Sequence, residues 1–158
     1  HFTATVGELE IEPNAANVIP SRVRMLIDAR AELREDMEVF CAHLDGIAAR
    51  TAERWGVTIA APVRISDVVA TPCDPQVLAI LEQAADGAGI SHRRMASGAG
   101  HDTGWMAKVA PAAMIFIPCK DGRSHCAEEW AETDDIALGT AVLFEAVQDM
   151  DRRLSEES

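Results

Sequence analysis

The chain has 158 residues, enough for one ordinary domain or two small ones, and its 48% hydrophobic and 25% charged residues are typical of a globular protein. Its net charge of −12 argues against nucleic acid as a partner, because proteins that bind DNA or RNA normally carry a basic stripe. No apolar run approaches the roughly 20 residues that cross a bilayer, so no membrane span is expected.

Two strands are predicted first. Residues 3–12 contain β-branched residues and alternate in polarity toward their end. Residues 22–30 alternate throughout, with Val23, Met25 and Ile27 on one face. The two segments together predict a strand pair.

A helix and a third strand follow. Apolar residues recur at helical spacing over residues 34–55, and Gly56 directly after them is typical of a left-handed C′ position. Polarity alternates again over residues 57–65, where Pro62 predicts an edge or bulged strand. The order strand, strand, helix, strand is typical of one half to two thirds of a split βαβ sandwich.

A second group of elements starts near Thr71, so a boundary between two units is expected within residues 66–74. Asp74 and Pro75 predict the start of a helix, as its N-cap and first helical residue. The segment from Gly87 to Gly89 predicts where that helix stops.

The last two predicted elements are a strand and a helix. The continuous apolar run Met114–Pro118 predicts a strand that is buried on both sides. Thr133 is predicted to cap the final helix. Helices that pack on a buried strand indicate a layered α/β unit.

The loop Ser97–Asp102, with the sequence SGAGHD, is the first candidate site. Gly98 and Gly100 permit left-handed backbone or a close approach of the backbone to a ligand. N–H groups at the start of the following helix can face an anion or a polarised carbonyl. Asp102 fits equally well as an ordinary N-terminal helix residue, so a structural turn remains the alternative.

His125 is the second candidate, because it follows the predicted buried strand at an edge where open α/β sheets place ligand sites. One histidine cannot hold a metal alone, since a catalytic zinc takes about three protein ligands. The other histidines share no spacing with His125. An ordinary surface histidine is the alternative interpretation.

The four cysteines form no Cys-x-x-Cys pair, in a chain large enough to need no disulfide. We therefore expect reduced cysteines and a cytoplasmic location. Cys119 and Cys126 flank His125 and leave a small zinc cluster as a further possibility, although their spacing matches no structural zinc pattern.

Asn17 and Arg30 form the third candidate. An Asn beside a turn usually bonds to backbone groups, and an Arg at the end of a strand usually pairs with an acid such as Asp28 or Glu32. The functional alternative is a clamp on a substrate carboxylate, for which the forked guanidinium is well shaped. The residues by themselves leave both interpretations open.

Taken together, these segments resemble a known family. TVGELEIEPNAANVIP, followed by DAR, SGAGHD and MIFIPCKDGRSH with a glutamate shortly after, resembles the C-terminal part of the M20-type metal-dependent amidohydrolases. The most similar branch acts on ureido and carbamoyl compounds: N-carbamoyl-L-amino acid hydrolases, β-ureidopropionases and allantoate amidohydrolases. The resemblance runs from about Thr3 to Leu154, with the motifs in the family's order.

The resemblance implies an α/β fold in two parts. Residues 1–70 would be the later part of a ferredoxin-like α+β lid domain that mediates dimerisation. Residues 71–158 would be the C-terminal part of a layered, zinc-peptidase-like α/β catalytic domain. A homodimer formed through the lid domain is therefore expected.

The resemblance also implies roles for the candidate residues. His125 would be a metal ligand, and Asn17 and Arg30 would hold the carboxylate of a small ureido or carbamoyl acid. The family's reaction is hydrolysis of a carbamoyl or ureido C–N bond with two divalent ions, zinc, manganese, cobalt or nickel, that activate water. His101 would support the pocket rather than catalyse. The pocket wall opposite the metals would contain Ser97, Gly98, Ala99, Gly100 and His101.

The family's remaining machinery does not occur in these residues. Its H-x-D motif, the paired glutamates that supply the base and a ligand, a further metal histidine and a lid histidine all precede the matching region, so no catalytic residue is expected here. The chain also lacks an initiator methionine and begins inside a predicted strand. We therefore expect a fragment of a longer enzyme that is inactive by itself. A non-catalytic dimerisation or binding module of the same fold is the alternative.

Overall fold

A computed structural model describes residues 1–156 and divides the chain into two compact units. The first comprises His1–Ala70 with Ala96–Ala99, and the second comprises Thr71–Met95 with the chain from Gly100 onward. The structure is mixed α/β, with a single two-stranded sheet among the described residues. The first unit contains β1 (Phe2–Glu12), β2 (Arg22–Ala31) and α1 (Arg34–Trp55), and the second contains α2 (Pro75–Gly87), α3 (Thr103–Met106) and α4 (Thr133–Glu156). None of the described helices is both long and apolar enough to cross a membrane.

The predicted strand pair is confirmed as an antiparallel hairpin with a β-bulge at Gly7. Val6 pairs with Ile27 and Glu8 with Leu26, so β1 carries one residue more than β2 at this point. The bulge explains why alternation in β1 is clean only toward its end, because the apolar residues change phase there. It places both sets on one face of the sheet: Phe2, Ala4 and Val6 before Gly7, and Leu9 and Ile11 after it.

Helix α1 covers one end of this apolar face. The rings of Phe2 and Phe40 lie 5.0 Å apart, which fixes the start of the helix beside the first residue pairs of the hairpin. The helix ends as the sequence predicts, with Gly56 in a left-handed conformation at φ 63° and its N–H donating to Ala52 O. Toward the other end of the hairpin, side chains such as Leu9 and Met25 are more than half exposed.

The two remaining strand predictions are wrong. Neither residues 57–65 nor Met114–Pro118 form a strand in the described part of the chain. Alternating or continuous apolar residues make a strand only where a second backbone completes the hydrogen-bond ladder, and residues 1–156 place none beside these segments. Pro62 additionally removes one backbone donor from the first of them.

Residues 57–67 are tied to α1 by ion pairs instead. Asp67 accepts hydrogen bonds from both Arg34 and Arg64, and Arg64 Nη2 also donates to Glu38 Oε2 at 2.8 Å. Because the two guanidinium groups stabilise its carboxylate, the pKa of Asp67 falls to about 2. Polar contacts of side chains therefore hold this segment where backbone pairing was predicted.

The second unit is organised by α2 packing on α4. Asp74 caps α2 as predicted, because its Oδ1 accepts from Gln76 N at 2.9 Å and from Val77 N at 3.0 Å. Thr133 is the first residue of α4 rather than its cap, since Glu132 O accepts the first helical hydrogen bond from Ile136 N at 3.1 Å. The buried side chains of this unit lie on the two helices: Ile80 and Ala85 on α2, and Val142 and Ala146 on α4.

An alanine at position 139 is expected to destabilise the second unit. Its added Cβ would lie 2.5 Å from Ile117 Cγ2, so α4 or the Met114–Pro118 segment would have to shift. Such overpacking costs about 1–3 kcal/mol, whereas alanine gains only roughly 1 kcal/mol over glycine inside a helix. Thermal unfolding of the full-length protein should therefore show a lower Tm for Gly139→Ala.

Gly46→Ala in α1 is the matched control for this substitution. The added Cβ there meets the flexible end of Arg50, with Nη1 at 3.2 Å, which can move aside at little cost. We expect its Tm to stay the same or rise, because only the helix propensity changes. Equal changes of Tm in the two variants would show that the contact with Ile117 has no energetic weight.

Candidate functional site

Arg30 lies near the end of β2, and its guanidinium is held by three hydrogen bonds. Its Nε donates to Asp28 Oδ1 at 2.9 Å and its Nη2 to Asp28 Oδ2 at 2.7 Å, while Nη1 donates to Gly98 O at 2.6 Å. The hydrogen bonds from Arg30 lower the pKa of Asp28, and the carboxylate in turn raises the pKa of Arg30. Both groups are therefore charged at ordinary pH, and both side chains stay about half exposed.

The ion pair that the sequence left open for Arg30 is therefore present, and its acid is Asp28. Glu32, the other acid considered, is not an acceptor for Arg30, whose hydrogen bonds go to Asp28 and to Gly98 O. The ion pair does not use up Arg30, because a guanidinium has five N–H donors and three are engaged here. One N–H on each terminal nitrogen remains for a further acceptor.

Asn17 does not lie beside Arg30 within one chain. It is exposed in the loop between Glu12 and Arg22, and the hydrogen bond from Ser21 N to Glu12 O, 2.9 Å long, closes the start of that loop. Strand β2 then runs about 26 Å from Arg22 to Arg30, at roughly 3.3 Å per residue. The hairpin therefore places the two predicted partners toward opposite ends.

The segment Ala96–Ala99 belongs to the first unit and brings the first half of the SGAGHD loop to Arg30. Ser97 Oγ accepts from Ala99 N at 3.1 Å, a local turn that leaves Gly98 O to accept from Arg30. The left-handed backbone permitted at Gly98 and Gly100 is not used, because neither residue has a positive φ.

The second half of the loop begins the second unit. The ring of His101 packs edge-on against Phe116, with 5.5 Å between the ring centroids. Asp102 is the N-cap residue of α3, yet its side chain makes no capping hydrogen bond. Because α3 is only 4 residues long, its dipole is too short to make the predicted anion site.

His125 is exposed on a turn and has a left-handed backbone with φ 58°. Its backbone N–H donates to Glu129 Oε2 at 3.0 Å, so Glu129 holds the turn rather than acting as a simple solvated charge. The sequence analysis did not predict this role. The available signal was that Glu129 follows His125 by four residues, close enough to bond back to its backbone. The turn thus presents the imidazole outside any regular element.

The zinc cluster that the sequence left as a possibility around Cys119, His125 and Cys126 is not formed by the described residues. Within residues 1–156, no three histidine, cysteine or acidic side chains come together to hold a metal ion. The Cys119 thiol instead donates toward Arg123 O at 2.8 Å and Trp130 O at 3.2 Å, where it closes the turn. His125 is left as a single imidazole that could serve as one ligand.

Residues 4–149 match Peptidase family M20/M25/M40, and the chain belongs to this family. It is 37% identical to the N-carbamoyl-L-amino-acid amidohydrolase of Rhizobium meliloti, over 90% of this chain and 34% of the relative. It is 34% identical to the allantoate amidohydrolase of Bacillus subtilis, over 88% of this chain and 34% of the relative. The chain thus spans about a third of the length of these relatives.

A solved structure supports the same placement. A hydantoinase/carbamoylase family amidase from Burkholderia multivorans is similar with a TM-score of 0.85 and 37% identity. The similarity covers 92% of this chain and 35% of that one. The mixed α/β architecture described above is therefore shared with amidases of this type.

Proposed function

We propose that the chain is part of a metal-dependent amidohydrolase that cleaves a carbamoyl or ureido C–N bond in a small carboxylic acid. Membership of the M20 family supports the hydrolytic reaction. The relatives are named for N-carbamoyl-L-amino acids and allantoate, compounds that combine a carbamoyl or ureido group with a carboxylate. The observation that carries the substrate class is the half-exposed, pre-oriented guanidinium of Arg30.

Arg30 would bind the carboxylate of the substrate. One N–H group remains on Nη1 and one on Nη2, and both can donate to the oxygens of a carboxylate. The similar structure of AtUAH, 33% identical, holds (S)-hydroxyglycine, which is itself a small carboxylate. This chemistry serves carbamoyl amino acids and ureido acids alike.

We further propose that residues 1–70 are the later part of a lid domain that forms a homodimer, and residues 71–158 the C-terminal part of a catalytic domain. The separation of Asn17 from Arg30 along the hairpin supports the dimer. If both residues hold one carboxylate, Asn17 must come from a second copy of the chain. A cytoplasmic location is part of the same proposal.

His125 is the one residue of the candidate set that fits a metal. Its imidazole suits zinc or nickel in particular, among the ions that the resemblance implies, and its turn leaves the ring exposed. Metal ions bound there would supply a water of lowered pKa for hydrolysis. No further ligand set is formed within residues 1–156. We propose that the general base and the other ligands lie in the rest of the protein. We propose that Ser97, Gly98 and Ala99 line the substrate pocket beside Arg30, and that His101, packed on Phe116 in the second unit, is a supporting residue.

The full-length protein should release ammonia from N-carbamoyl-L-amino acids or allantoate, lose this activity on chelation, and regain it with Mn²⁺ or Zn²⁺. The isolated chain of 158 residues should be inactive under the same conditions, because the proposal assigns to it one metal ligand and no general base. Ammonia release by the isolated chain would refute the assignment of the missing machinery. A full-length protein that binds these acids without cleaving them would support the binding-module alternative.

A further inference from the structure

The arginines on the polar face of β2 differ in the residues that they face. Arg24 faces Glu10 across the hairpin and donates to its Oε2 at 3.0 Å, and Arg22 faces Glu12 at 3.7 Å. Arg30 on the same face is opposite the uncharged Thr3. Arg22 and Arg24 are therefore explained as cross-strand ion pairs of the hairpin, and Arg30 is not.

The acid that holds Arg30 comes from its own strand. Asp28 is two residues earlier, so both side chains leave β2 on the same face, and Thr5 is opposite Asp28. The carboxylate accepts from Nε and Nη2, which form the side edge of the guanidinium. This contact turns the other edge, between Nη1 and Nη2, away from Asp28.

The third hydrogen bond fixes the remaining rotation of the fork. Gly98 O accepts from Nη1 at 2.6 Å, and Gly98 lies in the same compact unit as β2. A guanidinium held at three N–H groups is restricted in its rotamers before any ligand arrives. One N–H on Nη1 and one on Nη2 stay available.

We propose that Asp28 is a positioning residue that orients the Arg30 guanidinium, so that its remaining N–H groups meet the carboxylate of the substrate. The proposal rests on the proposed function, because it assigns Arg30 to a substrate carboxylate. Asp28 itself does not touch the substrate. Its effect is to pre-organise Arg30, and Gly98 O assists from the Ala96–Ala99 segment.

Removal of the Asp28 carboxylate should change KM in opposite directions, depending on whether Asp28 acts through its charge or by positioning Arg30. Removing an anion next to the binding site should strengthen carboxylate binding if only charge matters, since the net positive charge around Arg30 rises. Removing the group that orients the fork should weaken it, because Arg30 must then be ordered by the substrate. The sign of the change in KM therefore separates the two effects.

The experiment compares Asp28→Asn and Asp28→Glu in the full-length protein. The substrates are an N-carbamoyl-L-amino acid and its carboxamide, which lacks the carboxylate. Both variants should raise KM for the acid about tenfold with little change in kcat, since one charge-assisted contact loses its alignment. Asp28→Glu keeps the charge but moves the carboxylate by one methylene. The kcat/KM for the carboxamide should stay unchanged.

Glu10→Gln is the matched control, because it removes one negative charge from an arginine pair on the same face of the hairpin. Its KM should equal that of the wild type. An unchanged or lowered KM for the acid in Asp28→Asn overturns the positioning role while leaving the proposed function intact. If Asp28→Asn lowers kcat/KM equally for the acid and the carboxamide, the effect is a general one on the fold and the positioning role is overturned. The same holds if Glu10→Gln raises KM for the acid as much as Asp28→Asn does. A wild-type protein inactive on both substrates overturns the proposed function itself, and the role of Asp28 with it.

Discussion

Arg30→Ala in the full-length protein is expected to raise KM for carboxylate-bearing substrates by about 10- to 100-fold, the range of a charged hydrogen-bonded contact. The side chain is half exposed, so water competes for the guanidinium and the larger losses of a fully desolvated pair do not apply. The value of kcat should change much less, because the carboxylate lies away from the bond that breaks. Steady-state kinetics on an N-carbamoyl amino acid measure both constants.

Arg24→Ala provides the control for this prediction. Arg24 lies on the same strand and face as Arg30, but its guanidinium pairs with Glu8 and Glu10 across the hairpin. Its loss should leave KM unchanged and affect stability slightly. If Arg30→Ala also leaves KM unchanged, Arg30 is a structural partner of Asp28 and the carboxylate is bound elsewhere.

His125→Ala is expected to lower kcat/KM by at least about 100-fold and to reduce the metal retained by the full-length protein. Mutation of a residue that only hydrogen-bonds to a metal ligand typically lowers metal affinity or activity about 10- to 100-fold, so removal of a ligand itself should lower them at least as much. Metal content after dialysis is measured by mass spectrometry on the same samples as kcat/KM. Loss of both together would tie the exposed turn at His125 to the metal centre.

His92→Ala serves as the comparison, because His92 lies in the same unit and its Nδ1 contacts Ile90 O at 3.3 Å. It should retain metal and activity. Unchanged metal content and activity in His125→Ala would contradict the ligand assignment. A matched decrease in Tm for both variants would instead indicate a loss of folded protein.

The sequence predicted the helices well, because their signals are local. Asp74 and Pro75 begin α2, and Gly56 ends α1, through contacts with residues no more than four positions away. Alternating polarity likewise placed β1 and β2 correctly, since each strand finds its partner across one short loop. The family motifs extended this reasoning to the M20 family, which the comparison with known proteins confirms.

The site was predictable only in part. Arg30 with Asp28 was one of two open interpretations, and the structure shows the ion pair while leaving two donors for a ligand. The proximity of Asn17 to Arg30 could not be judged from a spacing of residues along the chain. The assignments of Asn17, Arg30 and His125 to substrate and metal stay predictions.

The sequence by itself therefore determined the elements whose hydrogen bonds close within a helix or a hairpin. Tertiary structure decided the rest: residues 57–65 and 114–118 lack a neighbouring ladder, and Gly98 reaches Arg30 across 68 residues. The physical reason is that a helix satisfies its own backbone, whereas a strand or a guanidinium depends on a partner brought from elsewhere in the chain.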